Sequence, residues 1–152
     1  MIKILFVCHG NICRSPMAEF VMKELVRRAG RESEFLIESA ATSREEIGND
    51  IHYGTRQKLI EQKIPFSRRA ARQITRADYE SYDFLIAMDD ENVFYMRRCW
   101  DNDPKGKIVS LLSFAGKNRD IADPWYTGNF DQTYEDVLEG CEALLQLLRN
   151  NK

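Results

Sequence analysis

The chain contains 152 residues, with 22 basic and 24 acidic side chains and a formal net charge of −2 at pH 7. This length predicts one domain spanning residues 1–152, and the slight acidic excess is not that of a typical nucleic-acid binder. No apolar run approaches the roughly 18 residues of a transmembrane helix. The N-terminus lacks the features of a secretory signal, which predicts a cytoplasmic protein with reduced cysteines, at Cys8, Cys13, Cys99 and Cys141.

Apolar runs that are typical of buried strands alternate with helical patterns along the chain. In order, the predicted elements are a strand at 2–7, a helix opened by Ser15-Pro16 and closed by Gly30, a strand at 35–41, a helix at 52–63, a short helix opened by a capping box at 75–78, a strand at 84–88, a helix after Asp89, a strand at 108–111 and a helix at 131–150. This alternation predicts an α/β fold, in which helices cover both faces of a parallel sheet.

The loop between the first strand and the first helix holds the most unusual residues, Cys8-His9-Gly10-Asn11-Ile12-Cys13-Arg14-Ser15. Ligands of parallel sheets bind beyond the carboxyl ends of the strands. A loop that wraps ahead of a helix N-terminus directs backbone N–H groups toward an anion. Gly10 allows the backbone to approach a bound group closely. The loop is therefore predicted to bind a tetrahedral dianion.

Three side chains of this loop point to nucleophilic catalysis. The loop N–H groups and the Arg14 cation favour the reactive thiolate form of Cys8. The planar fork of Arg14 can hold two phosphoryl oxygens at once, and Ser15 can donate a hydrogen bond to the sulfur. The alternative is a structural Cys8 at a strand end. It is disfavoured because these residue types coincide with a strand, a loop and a helix start.

The loop resembles the C-x5-R-S phosphate loop of the low-molecular-weight protein tyrosine phosphatases, in the form C-x-G-N-x-C-R-S-P. The likeness continues over nearly the whole chain, through motifs at 39–43, 71–74, 88–89 and 123–126. The resemblance implies a four-stranded parallel sheet in flavodoxin-like order with helices on both faces. It also implies hydrolysis of phosphotyrosine proteins or small aryl phosphates through a phosphocysteine. Neither a cofactor nor a metal is implied, nor a nucleic-acid or membrane partner.

The resemblance also assigns roles to individual residues. Cys8 would be the nucleophile, Arg14 the transition-state clamp and Asp123 the general acid. A tyrosine phenolate leaves poorly, since its conjugate acid has a pKa of about 10, and a positioned carboxylic acid can protonate it. The remaining expected roles are a loop-supporting hydrogen bond between Asn11 and Ser39, an aromatic wall at Trp125 and Tyr126, and a reversible disulfide between Cys8 and Cys13.

Two features of the sequence, a charged pair and a single residue, depart from the pattern of the family that the chain resembles. Arg69 stands where many members carry a histidine, and Glu38 replaces the usual aspartate partner, so an acid–base pair is expected to survive. Glu45 stands in the expected pocket wall, two positions after Thr42-Ser43, where an aromatic residue is often found. One side of the usual aromatic slot is therefore predicted to be missing.

Three other functions remain open at this point. Arsenate reduction uses a similar loop but requires a further close cysteine pair, and after the third strand the next cysteine is Cys99. A protein-arginine phosphatase carries threonine where Ile12 stands, and isoleucine narrows the space near the leaving group, which favours an aryl ester. A phosphocarrier or phosphopeptide-binding module would have no use for Arg14, Ser15 and Asp123 together.

Overall fold

The centre of the fold is an all-parallel sheet of four strands. The computed structural model describes residues 1–149. The strands are β1 (Ile2–Cys8), β2 (Phe35–Ala41), β3 (Phe84–Ala87) and β4 (Ile108–Ser110). They lie in the order β2-β1-β3-β4. Each agrees with its predicted range to within one residue, because a strand buried on both faces is a short, continuous apolar run. The predicted fold class is confirmed.

Helices cover both faces of this sheet. The helices are α1 (Arg14–Arg28), α2 (Tyr53–Glu61), α3 (Asp78–Ser81), α4 (Asp90–Cys99), α5 (Pro124–Thr127) and α6 (Phe130–Arg149). On one face of the sheet, α1 and α6 pack against each other. The other face is covered by Tyr79 of α3, Met96 of α4 and Trp100, which directly follows α4. In α6, residues three or four positions apart are fully buried, as in an amphipathic helix. Burying each such side chain stabilises the fold by about 1.5–3 kcal/mol.

The start of α1 differs from its prediction. The helix begins at Arg14 with Cys13 as its N-cap, so the predicted N-cap Ser15 and first position Pro16 lie inside the first turn. The hydroxyl of Ser15 contacts the preceding loop instead, and the start of the helix therefore follows the shape of that loop. At the other end α1 closes as predicted, and Gly30 adopts a left-handed conformation with φ 71°.

Two further helix starts test the predicted caps. The predicted capping box at 75–78 is half formed, because Asp78 accepts a hydrogen bond from the Thr75 N–H at 2.7 Å while no side chain caps α3. Asp89 caps α4 in a complete capping box with Asn92. The predicted end of the last helix, Asn150, lies outside the described residues. No helix within residues 1–149 is long and apolar enough to cross a membrane.

The central position of β1 determines where the site lies. β1 pairs with β2 on one side and with β3 on the other, and its last residue, Cys8, lies opposite Ala41. The segment after β2 stays attached to the end of β1, since the Thr42 N–H donates to the Cys8 carbonyl at 2.9 Å. The loop before α5 is attached to the end of β3, where the Ile121 N–H donates to the Met88 carbonyl at 2.9 Å. Three loops therefore converge at the carboxyl edge of the sheet.

Candidate active site

A pocket opens at this edge, beside the loop that joins β1 to α1. The structure brings together there most of the residues that the sequence predicts for the site, and it adds Glu46. Asn11, Ser15 and Ser39 are buried and lie outside the pocket lining. The lining residues are Cys8, His9, Gly10, Ile12, Cys13, Arg14, Glu45, Glu46, Asp123, Trp125 and Tyr126.

The Cys8 sulfur is held by hydrogen-bond donors of the first turn of α1. Its Sγ lies 3.0 Å from the Ser15 Oγ and 3.4 Å from the Ser15 backbone nitrogen, whose N–H donates to the sulfur. The Asn11 Nδ2 donates to the same Ser15 Oγ at 2.8 Å. Because this oxygen already accepts a hydrogen bond from Asn11, its own proton is directed toward the sulfur. The sulfur is therefore positioned by both the hydroxyl and the backbone N–H of Ser15.

Asn11 holds the loop from behind, in the left-handed conformation with φ 60° that asparagine tolerates. Its Nδ2 also donates to the Ser39 Oγ at 2.9 Å, the contact that the sequence predicts. The Ser39 hydroxyl in turn donates to the Glu19 Oε1 at 2.6 Å. The Asn11 Oδ1 accepts from the Arg72 backbone N–H at 3.2 Å. Each polar atom of the Asn11 side chain therefore has a partner on another segment, which fixes the loop.

Arg14 supplies a buried cation to the pocket, with only 2% of its surface exposed. Its Nη1 donates to the Asp89 Oδ2 at 2.7 Å and to the Ile121 carbonyl at 2.9 Å, and its Nη2 donates to the Asp123 Oδ2 at 3.3 Å. Burial lowers the pKa of Arg14, but the negative charges of Cys8, Asp89 and Asp123 outweigh it and raise that pKa above its ordinary value. Within residues 1–149 the buried Nε has no hydrogen-bond partner, which leaves a donor for an oxygen of a ligand.

Asp123 faces the same pocket from a separate loop. Its Oδ1 accepts from the Trp125 N–H at 3.0 Å and so caps the short helix α5, in which Pro124 takes the first position. Its Oδ2 is the atom that contacts Arg14. The carboxylate is therefore positioned from both sides, by the start of the helix and by the buried cation.

Trp125 and Tyr126 form an exposed aromatic wall, with 56% and 80% of their surfaces accessible. The edge of the Trp125 ring meets the His52 ring at a centroid distance of 5.4 Å, and His52 stacks on Phe130 at 5.3 Å. A Cβ at Gly54 would lie 2.3 Å from the Phe130 ring, so only glycine leaves room for this stack. His52 and Phe130 thus support the wall from behind.

The role of His52 is not evident from the sequence, where no partner residues surround it. The structure places it as the N-cap of α2, with its Nδ1 accepting from the Gly54 N–H at 2.9 Å. Its backbone N–H donates to the Ile12 carbonyl at 2.8 Å, which links the aromatic support to the phosphate loop. The predicted helix at 52–63 includes His52 as its first residue, whereas α2 begins one residue later and His52 caps it.

Glu45 lies in the pocket wall and contacts His9, whose Nε2 lies within hydrogen-bond distance of the Glu45 carboxylate. The segment that carries it is bound to the phosphate loop, since both the N–H and the hydroxyl of Ser43 donate to the His9 carbonyl, at 3.1 and 2.9 Å. The neighbouring Glu46 lies over Gly10, where an added Cβ would be 3.4 Å from the Glu46 Cγ. Two carboxylates therefore flank the pocket, and Glu45 stands where the family pattern often has an aromatic side chain.

The expected acid–base pair between Arg69 and Glu38 is wrong. The Arg69 Nη2 donates to the Asn11 carbonyl at 2.5 Å, and its Nη1 donates to the Asn49 carbonyl at 3.1 Å. Glu38 instead accepts a hydrogen bond from the Tyr82 hydroxyl. The arginine side chain is longer than a histidine, and its guanidinium reaches backbone carbonyls of the loop between β1 and α1 and of residue 49. The Glu38 carboxylate, on β2, has a separate partner in Tyr82.

Cys13 is a buried thiol next to Cys8 in the pocket lining. Burial, followed by the charges of Cys8 and Asp123, raises the pKa of the Cys13 thiol to about 12. Cys13 is therefore a neutral thiol at physiological pH and a poor nucleophile.

This raised pKa predicts a pH dependence for the expected disulfide. Peroxide oxidises the Cys8 thiolate to a sulfenic acid, and the Cys13 thiolate then displaces hydroxide to form the S–S bond. Below pH 12 the thiolate fraction of Cys13 rises about tenfold per pH unit. We expect the share of Cys8 trapped as disulfide, rather than as sulfinic acid, to rise from pH 6.5 to 8.5 in mass spectra. A share that does not change with pH, or no disulfide at all, would contradict the role of Cys13 in trapping the sulfenic acid. Cys13→Ser, which has no thiol to form the disulfide, is the control.

Comparison with known proteins identifies the family of the chain. The sequence profile of the family described as low molecular weight phosphotyrosine protein phosphatase matches residues 3–152. The chain is 38% identical to the low molecular weight protein-tyrosine-phosphatase YfkJ of Bacillus subtilis, over 100% of this chain and 99% of that protein. The crystal structure of YfkJ superposes with a TM-score of 0.96 over 100% of this chain and 97% of that one.

Two further solved structures show the breadth of the likeness. The low molecular weight protein tyrosine phosphatase SP-PTP of Streptococcus pyogenes is 41% identical, with a TM-score of 0.88 over 97% of this chain and 93% of that one. A Drosophila arginine phosphatase is 30% identical, with a TM-score of 0.88 over 97% of this chain and 98% of that one. The chain belongs to the low molecular weight phosphotyrosine protein phosphatase family.

Proposed function

We propose that the chain hydrolyses phosphotyrosine in proteins or small aryl phosphates, with Cys8 as nucleophile, Arg14 as clamp and Asp123 as general acid. Family membership makes it a cysteine-dependent protein-tyrosine phosphatase. The single observation that carries the assignment is the convergence of three groups in one pocket. These are the Cys8 sulfur, which is hydrogen-bonded to Ser15, the Arg14 guanidinium and the Asp123 carboxylate. Within residues 1–149 the Arg14 Nε has no hydrogen-bond partner.

The first step transfers the phosphoryl group to the enzyme. The Cys8 thiolate attacks phosphorus, the bond from phosphorus to the tyrosine oxygen breaks, and protonated Asp123 gives its proton to the leaving phenolate. The Arg14 guanidinium and the loop N–H groups stabilise the charge on the equatorial phosphoryl oxygens. Positioning and charge stabilisation account for most of the catalysis in such transfers.

The second step releases phosphate. Asp123, now a carboxylate, accepts a proton from a water molecule that attacks the phosphocysteine. The bond from phosphorus to sulfur breaks, and the sulfur leaves as the Cys8 thiolate. The Ser15 hydroxyl, directed toward the sulfur by its bond from Asn11, stabilises that thiolate as it forms.

Ile12 and the aromatic wall support an aryl substrate. Ile12 lines the pocket and is 8% exposed, so its side chain takes up space near the reacting centre. Trp125 and Tyr126 offer faces on which a phenyl ring can pack. The second candidate is phosphoarginine, favoured by the two carboxylates Glu45 and Glu46, which would attract a guanidinium leaving group.

Hydrolysis of matched phosphotyrosine, phosphoarginine and phosphoserine peptides, measured side by side without added metal, tests the proposal. We expect the highest kcat/KM on the phosphotyrosine peptide. A higher kcat/KM on the phosphoarginine peptide would show that phosphoarginine, the second candidate, is the preferred substrate. No turnover of any of the three peptides would overturn the proposed chemistry.

Replacing Asp123 tests the general acid separately from the capping role that the same side chain has. Asp123→Asn keeps an oxygen that accepts from the Trp125 N–H but carries no acidic proton, whereas Asp123→Ala loses both functions. We expect both variants to lose about 10²–10⁴-fold in kcat on phosphotyrosine. The loss on an aryl ester with an acidic phenol should be smaller, because that leaving group needs less protonation.

The pattern of losses separates the two roles of Asp123. Near-normal kcat for Asp123→Asn with a large loss for Asp123→Ala would show that the residue only caps α5. Equal losses on the two esters would also point to a structural effect, and thermal unfolding of both variants checks that α5 remains folded.

A further inference from the structure

The charge of the pocket is unusual for a site that takes a dianion. Besides the general acid Asp123, two of its lining side chains are carboxylates, Glu45 and Glu46. Among the described residues of the lining, Arg14 is the one with a permanent positive charge, and it is buried and already paired with Asp89 and Asp123. Inside the pocket a phosphoryl group would meet hydrogen-bond donors, but the glutamates at the entrance to the pocket would repel it.

The two glutamates are held at the pocket by contacts with the phosphate loop. Glu45, 66% of whose side chain is exposed, contacts His9, and Glu46 lies over Gly10. Glu46 accepts a hydrogen bond from the Asn49 Nδ2 at 3.3 Å and makes no ion pair within residues 1–149. Among the described residues, no cation therefore neutralises its negative charge by direct contact.

A substrate that carries positive charge beside its phosphoryl group turns this repulsion into attraction. Charges at an exposed rim interact over about 8–10 Å at ordinary salt, so the rim glutamates act on charged residues that lie close to the phosphotyrosine in a bound segment. The exposed faces of Trp125 and Tyr126 line the same pocket and can hold a guanidinium by cation–π contact. The negative charge of the glutamates and the aromatic wall thus both favour a basic residue next to the phosphotyrosine.

We propose that the Glu45–Glu46 rim selects phosphotyrosine segments in which arginine or lysine flanks the phosphotyrosine. The inference rests on the proposed function and adds to it the class of protein segment that the pocket prefers. Glu45 and Glu46 act as specificity-determining residues, outside the chemical steps. The buried Nε of Arg14 serves the phosphate itself, so the anion and its basic neighbour are recognised by different residues.

Three phosphotyrosine peptides that differ only at the two flanking positions test this preference, with arginine, serine or glutamate on both sides. We expect kcat/KM to fall in that order, with the arginine peptide about 3- to 10-fold above the glutamate peptide at low salt. The difference should shrink in 0.5 M NaCl, because the rim charges are exposed and are screened.

The double variant Glu45→Gln/Glu46→Gln should bring the three peptides to within about twofold of one another. It should also cleave the glutamate peptide faster than wild type does, whereas a merely structural loss would slow all three. Glu139→Gln is the matched control, since it removes one negative charge from α6, where Glu139 pairs with Lys117, and it should keep the original order.

Two results would overturn the rim proposal while leaving the phosphatase intact. One is equal kcat/KM for the three peptides at low salt, and the other is an arginine preference that survives in the double variant. Failure of the proposed function looks different: none of the three peptides would be hydrolysed, whatever their flanking residues, while a phosphoarginine peptide of the same sequence would be.

Discussion

Replacing Cys8 with serine is expected to reduce turnover of phosphotyrosine by about 10⁵-fold or more, the scale on which removal of a covalent nucleophile acts. Serine differs from cysteine by one atom, but at neutral pH its hydroxyl stays protonated and forms no comparable nucleophile. The phosphate loop and Arg14 remain in the variant. Binding of inorganic phosphate, measured by calorimetry, should therefore persist in Cys8→Ser.

The control for this experiment is Cys99→Ser, which makes the same replacement at the end of α4, outside the pocket. Cys99→Ser should keep wild-type turnover. Turnover by Cys8→Ser within tenfold of wild type would show that another group attacks phosphorus. Loss of phosphate binding together with a lowered unfolding temperature would instead show that Cys8 holds the loop together.

The strands and the phosphate loop could be predicted because their signals are local. Each of the four strands is a short apolar run, and burial on both faces of the sheet explains that pattern. The loop from Cys8 to Ser15 combines a nucleophile, an arginine and a helix start within eight positions. Chemistry that is concentrated in one segment remains visible without the fold.

Local preference misled the prediction of where α1 begins. Ser15 before Pro16 is a favourable cap, but its hydroxyl is engaged by the Cys8 sulfur and by the Asn11 amide, seven and four positions away. These contacts shape the loop so that α1 begins at Arg14. Tertiary hydrogen bonds to the Ser15 hydroxyl therefore override the preference of serine for the N-cap position.

The contacts of the supporting residues His52 and Arg69 escaped prediction because their partners lie far away in the chain. His52 meets Trp125 and Phe130 only once α2, α5 and α6 are assembled. Arg69 reaches the Asn11 carbonyl across 58 positions. Neither residue stands in a motif of its own, and the direction of a side chain across a loop depends on the completed packing. Such contacts require the structure.

Replacing Arg14 with lysine is expected to lower kcat by about 10³-fold or more, the scale on which an arginine acts in phosphoryl transfer. Lysine keeps the positive charge but has a single nitrogen, which cannot serve Asp89, Asp123 and a phosphoryl oxygen in the geometry of the planar fork. The lost hydrogen bonds form most strongly in the transition state. We therefore expect kcat to fall far more than KM rises.

A matched substitution separates the catalytic geometry of Arg14 from the general cost of exchanging arginine for lysine. Arg119 also pairs with a carboxylate through two nitrogens, at 3.0 and 2.8 Å from Asp136, and it lies outside the pocket. Arg119→Lys should leave kcat unchanged and lower the unfolding temperature only slightly, because its pair is partly exposed. If Arg14→Lys retained kcat within tenfold of wild type, a point charge would suffice in the pocket. The unpartnered Nε would then not be the donor that the phosphoryl group requires.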